Sequence, residues 1–178
     1  MNVYILYYDG FWALEPIPVL NRLSDERIVA IALEARPYTC YEKVRFVPDL
    51  TVAEVDPDQV DMLIVAGGDG RSIMDSDVVG DFIRELHRRG KLIAGICFGS
   101  ILLANYGVLD GKRCTGAGQG ITDDAPWRPC YRDAVIVNDR VVRDGNLITA
   151  MGIATEEFAA ELARVRDEFN AKQEPSGS

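Results

Sequence analysis

The fold is decided by the stretch "KLIAGICFGSILLANYG", residues 91–107. Residues 92–96 form a short, continuous apolar run, the pattern of a buried core strand. From Phe98 the apolar positions Ile101, Leu102, Leu103 and Tyr106 fall at helical spacing, and Gly107 suits the position just past a helix end. Cys97 therefore lies on the turn between strand and helix, inside Gly95-Ile96-Cys97-Phe98-Gly99. This is a cysteine version of the G-x-S-x-G nucleophile elbow, in which small neighbours relieve crowding around a strained residue. At the N-terminus of a helix the dipole favours a thiolate, so a lowered Cys97 pKa is expected.

The rest of the chain repeats the strand–helix alternation. Residues 2–8, 28–33, 44–47, 62–66, 92–96 and 147–150 read as strands. Residues 17–23, 77–89 and 98–106, and a segment opening at Thr155, read as helices. In the last helix Phe158, Leu162, Val165 and Phe169 face inward. Residues 134–137 and 141–143 flank Asn138-Asp139-Arg140, which reads as a small β-hairpin. The expected fold is α/β: a doubly wound, mostly parallel sheet with helices on both faces, in one domain over residues 1–171 with a flexible tail at 172–178. Working groups collect at the carboxyl ends of such strands.

Composition narrows the function. The 178 residues carry a formal net charge of −9, and no basic stripe is present to neutralise phosphates, which argues against nucleic acid and anionic membranes. No apolar run is long enough to span a bilayer. The opening "MNVYILYYDG" lacks the features of a signal peptide, so cytoplasmic localisation is expected. Cys40, Cys97, Cys114 and Cys130 are widely separated, with neither disulfide-framework nor zinc-ligand spacing. Neither metal nor cofactor is expected.

A reactive cysteine needs a partner that handles protons. The single histidine, His87, sits about ten residues into a helix that starts at the active end, hence roughly 15 Å away toward the opposite edge. Glu15 follows the first strand among Phe11, Trp12, Leu14 and Ile17. A carboxyl there is expected to hold its proton and donate to the thiolate. "GGDG" at residues 67–70 also matches a nucleotide-binding turn of lipid and NAD kinases. Apart from Arg71, though, no basic residue lies near it. The other reading makes the Gly68 N–H an oxyanion donor together with that of Phe98. The glycines at 116, 118 and 120 precede Thr122-Asp123-Asp124 rather than a helix, which weakens a dinucleotide reading.

The segments "YDGFWALE", "LIVAGGDG", "LIAGICFGSILLANYGVLDGKRCT" and "DGNLITAMGIATEEFAAELA" occur in the order and spacing of the ThiJ/PfpI superfamily, which the chain resembles over nearly its whole length. The resemblance implies a flavodoxin-like, glutamine amidotransferase-like fold. It implies Cys97 as reactive cysteine, Glu15 as its carboxyl partner and Gly68 as backbone donor. It further implies a small-molecule substrate and a homodimer. Phe98 stands where PfpI-type members have histidine directly after the nucleophile, and Gly116 where many others have one, which argues against peptidase activity. Gly152-Ile153-Ala154-Thr155 replaces the usual "GPGT" of the deglycase branch. That departure leans toward isonitrile-hydratase-like enzymes, which usually carry Asp at the position of Glu15. The expected activity is attack of Cys97 on an α-oxoaldehyde, its adducts or an isonitrile, with Glu15 moving the proton and N–H groups of Gly68 and Phe98 holding negative charge. The expected pocket is apolar, drawn from Phe11, Trp12, Gly116 and Ile153, with Phe98 and Trp127 adding to it. The competing reading is a non-catalytic redox sensor or chaperone-like dimer that uses Cys97 oxidation.

Overall fold

A computed structural model describes residues 1–173. The strands are β1 (Asn2–Tyr7), β2 (Arg27–Ala32), β3 (Tyr38–Thr39), β4 (Arg45–Phe46), β5 (Leu50–Thr51), β6 (Met62–Val65), β7 (Leu92–Ile96), β8 (Arg113–Cys114), β9 (Val135–Ile136), β10 (Val141–Asp144) and β11 (Leu147–Ala150). The helices are α1 (Pro16–Arg22), α2 (Asp77–Arg88), α3 (Phe98–Asn105) and α4 (Thr155–Gln173). Seven strands form the main sheet in the order β10-β11-β7-β6-β1-β2-β5. Every pairing in it is parallel except β10 with β11. Apolar runs produce this arrangement: β6 is buried at every position and β1 at all but its first, as a sheet covered on both faces requires.

The chain leaves β1 first toward β2 and β5, and later returns to β6, β7 and β11 on its other side. The strand order therefore reverses between β1 and β6, where open α/β sheets place their ligand crevice. The loops that follow β1, β6 and β7 meet there. A bridge between Phe11 and Gly68 joins the first two loops, reinforced by Trp12 N–H to Gly67 O (2.9 Å) and Asp69 N–H to Gly10 O (3.0 Å). Tyr8, fully buried, donates its hydroxyl to the carbonyls of Ala66 (2.6 Å) and Gly67 (2.7 Å), fixing the end of β6.

Helix α3 lies very close to the sheet. A Cβ at Gly99 would sit 2.0 Å from the carbonyl oxygen of Val65, so only glycine permits the approach that brings the helix N-terminus over β6.

Two expectations need correction. Asn138 does not turn a hairpin: its side-chain amide grips both the N–H and the carbonyl of Ile121, and β9 runs parallel beside β8 in a separate two-stranded ribbon. The hairpin joins β10 to β11 through Gly145-Asn146, with Asp144 opposite Leu147 and Gly145 at φ +62°. Second, α4 continues through Gln173, so Lys172 and Gln173 are helical rather than tail. The remainder of the expected tail lies outside the described residues.

Gly99→Ala is expected to lower unfolding free energy by about 3 kcal/mol or to prevent folding, because backbone rather than a yielding side chain blocks the new methyl. Gly118→Ala meets nothing within 4 Å and serves as the control. Urea midpoints of the two variants check this. Equal midpoints would contradict the packing described.

Candidate active site

Cys97 adopts φ +54° and ψ −120° at the N-cap of α3, a left-handed backbone in a residue with a side chain. Such a conformation costs on the order of 1–3 kcal/mol and persists only where the surroundings over-determine it. Here they do. Its N–H donates to Ala150 O of β11 (2.9 Å). Its carbonyl accepts from Ser100 N (3.2 Å), Ala117 N (3.2 Å) and the Ser100 hydroxyl (2.6 Å). Since Ser100 Oγ spends its proton on that carbonyl, the Tyr131 hydroxyl, 3.1 Å away, is the donor in their mutual hydrogen bond. Both side chains are fully buried. Sequence reasoning missed Ser100 and Tyr131, because neither carries a local signal and both act through Cys97.

Glu15 is 1% exposed at the head of α1. Its Oε2 accepts from the Gly67 N–H at 2.5 Å. Oε1 is buried with no hydrogen-bond partner among the described residues, and the Cys97 thiol lies beside the carboxyl. A Cβ on Gly67 would lie 2.5 Å from Cys97 Cβ and 2.7 Å from Glu15 Oε2, so the absence of a side chain there is what lets carboxyl and thiol meet. The N–H groups of Gly68 and Phe98 lie close enough to the Cys97 sulfur to favour its thiolate. The structure thus brings Cys97, Glu15, Gly68 and Phe98 to one point.

The electrostatics differ from the expectation at the sulfur. Burial pushes the Glu15 carboxyl up to about 7, against the lowering influence of the Gly67 N–H and the thiol. Burial, followed by the Glu15 charge, also raises the Cys97 thiol, to about 12, and outweighs the two N–H groups that favour the thiolate. A lowered thiol pKa was expected from the helix terminus. The correction is that desolvation beats a short helix's dipole here. The two groups titrate as a coupled pair, and burial disfavours the charged form of each.

A cleft of about 390 Å³ opens over the sulfur, lined by Trp12, Tyr41, Gly68, Asp69 and Cys97. Of the expected pocket residues, Trp12 lines it, meeting Tyr41 edge-on at 6.2 Å. Phe11 instead lies fully buried behind the loop, stacked on Tyr7 at 4.6 Å. Gly116 faces inward against Ser100 and Tyr131. Ile153 is half exposed and is not among the lining residues, its N–H tied to Gly118 O. Phe98 meets Trp127 edge-on at 5.1 Å, beside the cleft's wall rather than in it. Tyr41 lies in a loop with no periodicity to announce it. His87 lies in the last turn of α2, its pKa lowered from the ordinary value by burial and then by the Lys112 charge. All four cysteines are free thiols. Among the described residues no helix is long and apolar enough to cross a membrane.

The chain matches the DJ-1/PfpI family over residues 1–165, and it belongs to that family. It is 35% identical over 150 residues to the protein dj-1beta of Drosophila melanogaster, covering 82% of this chain and 76% of that one. The crystal structure of that relative superposes with a TM-score of 0.79 at 29% identity, over 92% of this chain and 89% of the other. An isonitrile hydratase from Pseudomonas putida is 33% identical over 157 residues, 84% of this chain but only 63% of that enzyme. A deglycase from Thermococcus kodakarensis is 31% identical over 153 residues, 84% and 89% of the two chains.

Two outcomes test the buried pair. Glu15 titrates above its ordinary 4.5 in the folded protein, so protonation favours folding. That contribution is fully present below pH 4.5 and is lost as pH rises through about 7. Glu15→Gln should flatten this dependence and gain roughly 3 kcal/mol on the wild type between pH 5 and pH 8, read from chemical denaturation. In alkylation of Cys97, the rate should rise with a midpoint near pH 7 and then level, as Glu15 becomes able to take the thiol proton. Glu15→Gln should abolish that step.

Proposed function

We propose that the protein is a cysteine-dependent enzyme that adds Cys97 to an electrophilic carbon of a small molecule, with Glu15 as the proton carrier. The observation that carries this reading is the buried Glu15 carboxyl set against the Cys97 thiol beneath an open, mostly apolar cleft. A carboxylate of pKa about 7 is matched to proton transfer at neutral pH. As sulfur attacks, its proton passes to Glu15. The negative charge developing on the substrate is held by the N–H groups of Gly68 and Phe98.

Two substrate classes fit this half-reaction, and relatives named deglycase and isonitrile hydratase support them. With an α-oxoaldehyde, the C–S bond forms as the carbonyl π bond opens, and the oxygen takes the proton to give a thiohemiacetal. Glu15 then moves the proton on that carbon to the neighbouring one, giving a thioester of a 2-hydroxy acid. Water cleaves the thioester and returns the proton to sulfur. With an isonitrile, sulfur bonds the terminal carbon while the proton is delivered to the same carbon, giving a thioimidate. Water adds, the C–S bond breaks, and an N-formyl amine leaves with the thiol restored. Both cycles consume one water and need no other reactant.

The test is turnover of methylglyoxal and of an aryl isonitrile, followed by NMR of the products. Hydrated product from at least one is expected. Cys97→Ser should lower kcat by about 10³-fold or more. Glu15→Gln should lower it by about 10²–10⁴-fold. No product from either substrate, with Cys97 still readily oxidised by peroxide, would contradict an enzyme and favour a sensor.

A further inference from the structure

The wall of the cleft carries more information than the nucleophile beneath it. One side is the edge-on pair Trp12 and Tyr41, with Trp12 36% and Tyr41 65% exposed, an apolar surface open to a bound molecule. The other is Asp69, whose carboxylate is held below its usual range by Arg71. Arg71 does not line the cleft. It grips Asp69 through Nε (2.7 Å) and a terminal nitrogen (2.5 Å), with its own side chain 70% exposed. The next guanidinium in this loop cluster, Arg36, is shared by Asp9 and Glu34. Glu42 caps the loop below Trp12 by accepting from Ala13 N (3.1 Å) and Leu14 N (3.4 Å), and its charge bears on Glu15. A molecule approaching Cys97 thus passes one carboxylate on the wall, with the buried Glu15 beside the thiol. No lysine, arginine or histidine faces it among the described lining residues.

We infer that this cleft selects substrates by charge, admitting uncharged electrophiles with an apolar or aromatic substituent and turning away those bearing a carboxylate, with Asp69 as the specificity-determining residue. The inference rests on the reading of Cys97 as nucleophile and narrows its substrate class. Uncharged α-oxoaldehydes and isonitriles qualify, whereas α-oxo acids do not. A carboxylate seated at the sulfur would share the cleft with the Asp69 carboxylate, and no lysine, arginine or histidine is among the described lining residues. At the short separations of a cleft this size, repulsion between like charges near a protein surface disfavours the wrong ligand by about tenfold or more. The Trp12–Tyr41 wall offers contact to an apolar group in return and carries no positive charge for an anion.

Iodoacetamide and iodoacetate deliver the same alkyl transfer and differ in one negative charge, so their rates read the filter without turnover. In each case sulfur displaces iodide from carbon. Alkylation is followed at the Cys97 peptide by mass spectrometry, with glutathione as reference thiol. At low salt and pH 8, the preference of Cys97 for iodoacetamide should exceed that of glutathione by about tenfold. Salt at about 0.5 M should shrink the excess by speeding iodoacetate alone, as screening requires. Asp69→Asn, which keeps the shape of the side chain, should bring the ratio down toward that of glutathione. Arg71→Ala should raise it further. A wild-type ratio equal to that of glutathione, or one indifferent to salt and to Asp69→Asn, would overturn the inference while leaving the nucleophile intact. Failure of Cys97 to react with either reagent would overturn the nucleophile reading as well, so the two failures are distinct.

Discussion

Cys97 holds a left-handed backbone because three separate parts of the chain fasten its peptide. These are β11 through Ala150, the first turn of α3 through Ser100, and the loop at Ala117. The Ala150 bond continues the β7–β11 register and the Ser100 bond opens α3, while Ala117 comes from a separate loop, so the strained turn exists only once strand, helix and loop are assembled together. The glycine at 99 has the same standing. It lets α3 descend onto Val65, and that descent brings the N–H of Phe98 to the sulfur. Chain reversal between β1 and β6 supplies the remaining wall, and the Tyr8 hydroxyl ties the two strand ends together.

The arrangement sets stability against chemistry. A carboxyl that is 1% exposed, with one oxygen lacking any N–H or O–H donor, is a poor structural choice. A glutamine or leucine would suit the burial better. The same desolvation brings Glu15 to a pKa useful at neutral pH and leaves the thiol protonated until a reaction partner arrives. A general base beside a protonated thiol is a quieter nucleophile than a free thiolate, and the proton moves only when sulfur commits to carbon.

Much of this was legible in the sequence, for physical reasons. Continuous apolar runs such as residues 62–65 announce buried parallel strands, and the strand–cysteine–helix junction locates the elbow. Glu15 was found because an ionisable group among Phe11, Trp12 and Leu14 is expensive without a purpose. The failures have causes as well. The sequence reading places the hairpin at Asn138-Asp139-Arg140, whereas the chain turns at Gly145-Asn146. The Asn138 amide bonds to Ile121 instead, a contact no local pattern reveals. Phe11 and Trp12 are neighbours of equal hydrophobicity, and only the bridge to Gly68 turns one inward and the other to the cleft. The direction of the thiol shift was misjudged because the dipole can be read from a helix start, whereas burial depends on everything packed above it.

The central claim is that Glu15 in the folded protein titrates near neutrality because it is buried against Cys97. It is tested most directly by 13C NMR of the side-chain carboxyl in glutamate-labelled protein, with Glu15→Gln used to assign the resonance. The account predicts a carboxyl signal that titrates with a midpoint near pH 7 and moves when Cys97 is alkylated. A Glu15 signal titrating at its ordinary 4.5, indifferent to the state of Cys97, would contradict it.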